Sequence, residues 1–138
     1  MTNQRKHRQQ MTLREIAVIE NLIHAQSKWL VTGEHITRKM SDLRVSWEDI
    51  NFVLKTGIVV EANKNRDLCA VFRANVPIID PETYPGTRDI CVVVNLPTRW
   101  VVTVWCNSVT DLHCTLNLSQ YKWKVNLIEE LKEFNVTV

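Results

Sequence analysis

The chain has 138 residues, of which 45% are hydrophobic and 23% are charged, and its formal net charge is +2 at pH 7. These values suit one soluble globular domain with one core, and they exclude a strong global field that would draw the chain to nucleic acid. No apolar run is long enough to span a bilayer, and the four cysteines lack the CxxC spacing of metal clusters and redox dithiols. The composition therefore predicts a cytoplasmic protein with reduced thiols and no metal or cofactor.

The start of the chain carries a cluster of basic side chains without an acid, namely Arg5, Lys6, His7 and Arg8. This pattern predicts a flexible basic arm over residues 1–11, followed by a single domain over residues 12–138. The arm either contacts RNA phosphates or is simply solvated.

Helix start signals occur twice, as the capping boxes formed by Thr12 with Glu15 and by Ser46 with Asp49. Apolar residues at helical spacing extend the first helix over residues 13–30, and Gly33 ends it. A short basic helix follows. The next helix ends at Gly57, where a left-handed cap is usual. Residues 121–134 predict a last helix with one apolar face.

Between the third and the last helix, the apolar pattern changes to a period of two, which is typical of strands. Strands are predicted over residues 58–62, 68–74, 90–95, 100–106 and 111–118, with a proline-rich loop over residues 75–89. The predicted fold class is therefore α+β, with N-terminal helices packed on a four- or five-stranded antiparallel sheet and a C-terminal helix.

The fourth predicted strand alternates between two faces. One face carries Val102, Val104 and Cys106, and the opposite face carries Val101, Thr103 and Trp105. Thr103 and Trp105 are therefore expected to project together, away from the core.

Candidate chemistry also lies on the short basic helix. His35, Arg38 and Lys39 are spaced i, i+3 and i+4, so a helix places them on one face. Cleavage of RNA through its 2′-hydroxyl needs a base, a donor that stabilises the phosphorane charge, and an acid for the leaving oxygen. A histidine can serve as base or acid, an arginine can bind the phosphate, and a threonine hydroxyl can donate to a phosphoryl oxygen.

The candidate catalytic residues are accordingly His35, Arg38 and Thr103. The candidate substrate-binding residues are Lys39, Arg44, Trp105 and His113. Of these, the tryptophan would stack on an unpaired base. Each residue also has a purely structural interpretation: a solvated helix face for the histidine, a β-former for the threonine, and packing for the tryptophan.

The stretch from His35 to Glu61, HITRKMSDLRVSWEDINFVLKTGIVVE, resembles the opening of a family of small bacterial and phage proteins. These proteins resemble the toxin-type RNases of the barnase–EndoU–colicin–RelE grouping. The shared pattern is a histidine, an arginine one turn later, a second arginine before a Ser- or Thr-started helix, a glycine and a strand. A later strand alternates valine, threonine and an aromatic residue, here over residues 101–105, so that the resemblance covers residues 33–106.

This resemblance implies a helices-then-sheet fold and, in active members, metal-independent RNA cleavage at His35, Arg38 and Thr103. The expected partners are RNA and an inhibitor, antitoxin or host protein, and no membrane. Two alternatives stay open: a non-catalytic phage or bacterial modulator that binds a host protein or RNA, and a structural partner that dimerises through its first helix. Convergence of the three residues in space favours the enzyme.

Overall fold

The computed structural model describes residues 4–26, 29, 33–64, 67–78, 86–107 and 118–137. In these ranges the helices are α1 (Leu13–His24), α2 (Glu34–Leu43), α3 (Trp47–Thr56) and α4 (Leu127–Glu133). The strands are β1 (Arg5–His7), β2 (Ile58–Lys64), β3 (Leu68–Ile78), β4 (Gly86–Asn95) and β5 (Val101–Asn107). The predicted α+β class is confirmed. None of the described helices has the length and apolarity needed to cross a membrane.

The strands form one antiparallel sheet in the order β1-β2-β3-β4-β5, so each strand pairs with its neighbours in the chain. One face of the sheet, which we call the helix face, packs against all four helices. Together they form the main core, which includes Ile19, Ile36, Leu54, Phe72, Val92 and Leu131. The opposite face, which we call the second face, carries a smaller apolar cluster of Val60, Val71 and Cys91, with Val93 and Trp105 packed against it.

Strand β5 contains an irregularity that changes the predicted alternation. Val93 pairs with Thr103 and Val94 pairs with Val101, so Val102 is an extra residue in the register. Val101 is 3% exposed and Val102 is 43% exposed. The predicted faces of these two valines were therefore wrong, because a bulge inserts one residue and reverses the alternation on one side of it.

Part of the predicted basic arm belongs to the sheet. Arg5–His7 form β1 and pair with β2, and Lys6 and His7 are buried. Two of its bases bind an acid outside the arm: Arg5 binds Glu61 at 2.8 Å and Lys6 binds Glu15 at 2.8 Å. These distant partners explain why the local pattern, which contains no acid, does not predict the strand.

Glu15 joins three parts of the chain at one carboxylate. It accepts hydrogen bonds from the Lys6 ammonium, from the backbone N–H of Thr12, and from the backbone N–H of Leu127. Burial alone would raise the pKa of Glu15, but these donors outweigh it and hold the pKa below its usual value. The carboxylate therefore ties β1 and the start of α1 to the start of α4.

Several predicted boundaries differ from the structure. Helix α1 ends at His24 rather than near residue 30, and the backbone N–H groups of Ala25 and Gln26 close its last turn by bonding to the carbonyl oxygens of Asn21 and Ile23. Helix α4 begins only at Leu127, after the side chain of Asn126 has capped its first N–H groups. Gly57 has a φ of −73° and is not a left-handed cap.

Gly57 is needed for a different reason. A Cβ atom at this position would lie 2.4 Å from the carbonyl oxygen of Val53 and 2.9 Å from that of Arg73. Only glycine allows this close backbone approach between α3 and β3.

The predicted proline-rich loop and fifth strand also change. Strand β3 continues to Ile78 and strand β4 begins at Gly86. Their hydrogen-bonded ladder therefore includes much of the segment predicted as a loop. The strand predicted over residues 111–118 lies outside the described residues, apart from Leu118 in a short 3₁₀ turn. The sheet nevertheless has five described strands, because β1 supplies the additional one.

We predict that Glu15→Gln lowers the free energy of unfolding by about 3–5 kcal/mol, because it leaves the buried Lys6 ammonium without its counter-charge. Urea unfolding measures this change. The control is Glu133→Gln on exposed α4 surface, which should change stability by less than about 0.5 kcal/mol.

The same pair gives a sign for the pH dependence. Because the folded pKa of Glu15 is lowered, its stabilising contribution is present above the unfolded value of 4.5 and is lost as pH falls through the folded pKa. The stability gap between the wild type and Glu15→Gln should therefore shrink below pH 4.5. A gap that widens on acidification would contradict this assignment.

Candidate active site

Helix α2 carries the first candidate residues and packs against β5. Its N-cap residue Gly33 has a φ of 101°, a conformation that glycine adopts without strain. Ile36 is 1% exposed and anchors the first turn in the main core. The neighbouring side chain, His35, is exposed. One turn of helix therefore fixes an imidazole at the surface beside the sheet.

His35 meets Thr103 on β5. The imidazole Nε2 lies 3.1 Å from the threonine Oγ1, within hydrogen-bond distance, although 68 residues separate the two in sequence. When Nε2 is unprotonated it accepts a hydrogen bond from the hydroxyl group, and when it is protonated it donates a hydrogen bond to the hydroxyl oxygen. The structure thus brings two of the three predicted catalytic residues into direct contact.

Thr103 and Trp105 share one face of β5. With Val102 as the extra residue, Thr103 lies opposite Val93 and Trp105 lies opposite Cys91, both on the second face. Thr103 is partly exposed there. A regular strand would place Val101 on this same face instead of in the core.

Trp105 lies two residues beyond Thr103 on the same strand, about 7 Å away along the backbone. Its ring is partly buried and packs against the small apolar cluster of the second face. Packing therefore uses one part of the ring, and the part that stays exposed is on the same face as Thr103.

The other basic candidates lie at different distances along α2. Arg38 and Lys39 are exposed one turn beyond His35, about 4.5 and 6 Å further along the axis. Arg44 stands at the far end of the helix, about 13 Å along the axis from His35, with a left-handed φ of 53°. The structure does not place Arg44 beside the His35–Thr103 pair. His113 lies outside the described residues.

Arg88 is a positioning residue that the sequence pattern did not single out. Its guanidinium donates to the carbonyl oxygens of Leu43 and Arg44, each at 2.6 Å, and lies 4.0 Å from the Asp49 carboxylate. It therefore binds the C-terminal carbonyls of α2 and ties the helix to β4. Sequence analysis placed Arg88 in a loop, and the absence of a local partner left no signal for this role.

The first turn of α2 also offers backbone donors. Its N-cap residue, Gly33, has no side chain to cap the helix, in contrast to the Thr12 and Ser46 caps of α1 and α3. The N–H groups at a helix N-terminus attract anions because the helix dipole is positive there. His35 belongs to this turn, so the contact with Thr103 and the N–H groups of the first turn occur at the same end of the helix.

Comparisons with protein-family models, with curated proteins and with solved structures found no match to this chain.

We predict that Arg88→Lys loosens α2, because the lysine ammonium is a point charge without the planar fork by which the guanidinium donates to two carbonyl oxygens at once. Hydrogen exchange of the α2 amides should accelerate about tenfold, which corresponds to about 1.4 kcal/mol of local stability, while exchange in α4 stays unchanged. The control is Lys55→Arg on the exposed surface of α3, which should alter neither helix. Equal acceleration in α2 and α4 would show a global loss of stability and contradict the role of Arg88 in holding α2.

Proposed function

We propose that the protein is a metal-independent endoribonuclease of the toxin or phage-effector type, which cleaves RNA by attack of the 2′-hydroxyl. The observation that carries this proposal is the 3.1 Å contact between the His35 imidazole and the Thr103 hydroxyl at an exposed place on the surface. The reaction begins with removal of the 2′-hydroxyl proton and stabilisation of the phosphate charge. A base and a hydrogen-bond donor that lie side by side match these two tasks.

The contact also suggests how the site changes when RNA binds. Without substrate, the Thr103 hydroxyl donates to the unprotonated Nε2 of His35. When a phosphodiester enters, the hydroxyl turns to a phosphoryl oxygen and frees Nε2 to take the 2′-hydroxyl proton. The 2′-oxygen then attacks phosphorus, the 5′-oxygen leaves with a proton from water, and a cyclic phosphate remains.

Charge stabilisation comes from the rest of α2. Arg38 is exposed one turn from His35, and in this proposal its guanidinium binds the same phosphate. The N–H groups of the first turn add dipolar stabilisation to the phosphorane. Lys39 extends the positive surface along the RNA backbone, and Trp105 offers its exposed edge to an unpaired base.

This function implies RNA as the substrate and a cytoplasmic site of action, in a bacterial cell or a phage-infected host. A nuclease that acts on its host's RNA needs restraint, so an inhibitor or antitoxin protein is the second proposed partner.

We predict that His35→Ala lowers single-turnover cleavage of total RNA in EDTA by about 10²- to 10⁴-fold, because the base is lost. Stability should change by less than about 0.5 kcal/mol, since the side chain is exposed. The matched control is Ser41→Ala, exposed on the same helix but about 120° around its axis from His35, which should keep full activity. Full activity of the His35 variant would reject the assignment.

A binding protein without catalytic activity would give a different result. It would leave RNA intact in every variant, and a filter-binding assay would still detect retained RNA.

We also predict that Thr103→Val and Thr103→Ser differ sharply. Valine keeps the β-branched shape and removes the hydroxyl, so cleavage should fall by about 100-fold. Serine keeps the hydroxyl and should retain activity within about fivefold, which is about 1 kcal/mol of barrier. If the two variants were equally impaired, the role of Thr103 would be strand packing and not phosphate binding.

A further inference from the structure

A cavity of about 560 Å³ has a described lining that contains none of the candidate active-site residues. Its described lining comes from β1 and the 3₁₀ turn after it, from the C-terminal half of α3, and from β2, β3 and β4. No described lining residue belongs to α2 or β5. The volume lies within the range of about 300–1,000 Å³ that small-molecule sites usually occupy.

One wall of the cavity is apolar. Phe52 on α3 is 45% exposed and Ile58 on β2 is 46% exposed, and both line the cavity together with Val60 and Ala74. Large apolar side chains that are half exposed beside a cavity lose contact with water when an apolar group enters. The Phe52 ring in particular can stack against another ring.

The ionic groups around the cavity are paired within the protein. Arg73 binds Asp89 at 2.7 Å, and Asn75 also donates to that carboxylate at 2.9 Å. Arg8 binds Glu20 at 2.7 Å. Each arginine in the described lining therefore has a carboxylate partner.

The imidazole of His7 also lines the cavity. Its Nδ1 atom accepts a hydrogen bond from the backbone N–H of Gln9 at 3.1 Å, a role that the neutral tautomer fills. Among the described lining residues, each charged side chain therefore has an opposite charge beside it within the protein.

We propose that this cavity is a binding site for a small, uncharged aromatic molecule with an amide-like polar end. The ring would lie against Phe52 and Ile58, and the polar end would meet the side-chain amides of Gln9 and Asn75. An ionised ligand would lose its hydration and gain no counter-charge, since both arginines are already matched. The proposal does not depend on ribonuclease activity.

Three probes of one shape test the charge preference: benzamide, benzoate and benzamidine, which are neutral, anionic and cationic. Titration followed by ¹H–¹⁵N NMR should show benzamide binding with a Kd on the order of millimolar, as expected for a fragment of this size. Benzoate and benzamidine should bind at least about fivefold more weakly. Absence of saturable benzamide shifts at the lining residues, or equal or tighter binding of either ion, would overturn the proposal.

Variants locate the binding. Phe52→Ala and Ile58→Arg alter exposed side chains at the cavity, so both should fold and both should weaken benzamide binding at least about fivefold. The control is Trp100→Ala, an aromatic residue that is 44% exposed outside the cavity and should leave the titration unchanged. Benzamide binding that survives both cavity variants would place the ligand elsewhere and overturn the proposal.

A charge exchange tests the paired arginine. Asp89→Asn removes the carboxylate that matches Arg73, so the preference should shift from benzamide towards benzoate. If this variant does not fold, Arg73→Gln should shift the preference towards benzamidine. An unchanged order of the three probes in a folded variant would show that the paired charges do not set the selectivity.

The cavity and the candidate active site are tested separately. His35→Ala should bind benzamide with the wild-type affinity, whether or not the protein cleaves RNA. Loss of binding in this variant would show that the two sites are one.

Discussion

The seating of α2 on β5 is the constraint on which the candidate site depends. Ile36 anchors the first turn in the core, and Arg88 binds the last carbonyls of the helix from β4. Between these two anchors the exposed face of α2 has little freedom to rotate. The packing of α2 therefore holds His35 beside Thr103. The hydrogen bond between the two side chains contributes only about 1 kcal/mol and is too weak to fix the helix by itself.

Sequence pattern predicted the parts of this arrangement that local chemistry determines. The capping boxes at Thr12 and Ser46 mark the starts of α1 and α3, and alternation marks the strands. Pairing between His35 and Thr103 could be expected only from the resemblance, because 68 residues separate them. The bulge at Val102 left no local signal, since a valine fits either face of a strand.

Three further differences share a physical cause, which is a partner outside the local sequence pattern. Lys6 enters the sheet because Glu15 compensates its charge, and Arg88 leaves the predicted loop because the end of α2 offers it carbonyl oxygens. Glycine is likewise required at position 57 because β3 comes close to its backbone, and not because a left-handed cap ends α3 there. A single sequence shows the chemical capacity of each side chain, whereas these pairings exist only after the sheet and helices have packed.

A double-mutant cycle on RNA cleavage tests the central claim most directly, since it asks whether His35 and Thr103 act on one phosphodiester. Single-turnover rates of His35→Ala, Thr103→Val and the double variant would be compared with that of the unaltered chain. If the two groups act as a unit, the double variant should be little slower than the slower single variant, with a coupling of about 1–3 kcal/mol. Fully multiplicative losses, or no cleavage by the unaltered chain, would contradict the account.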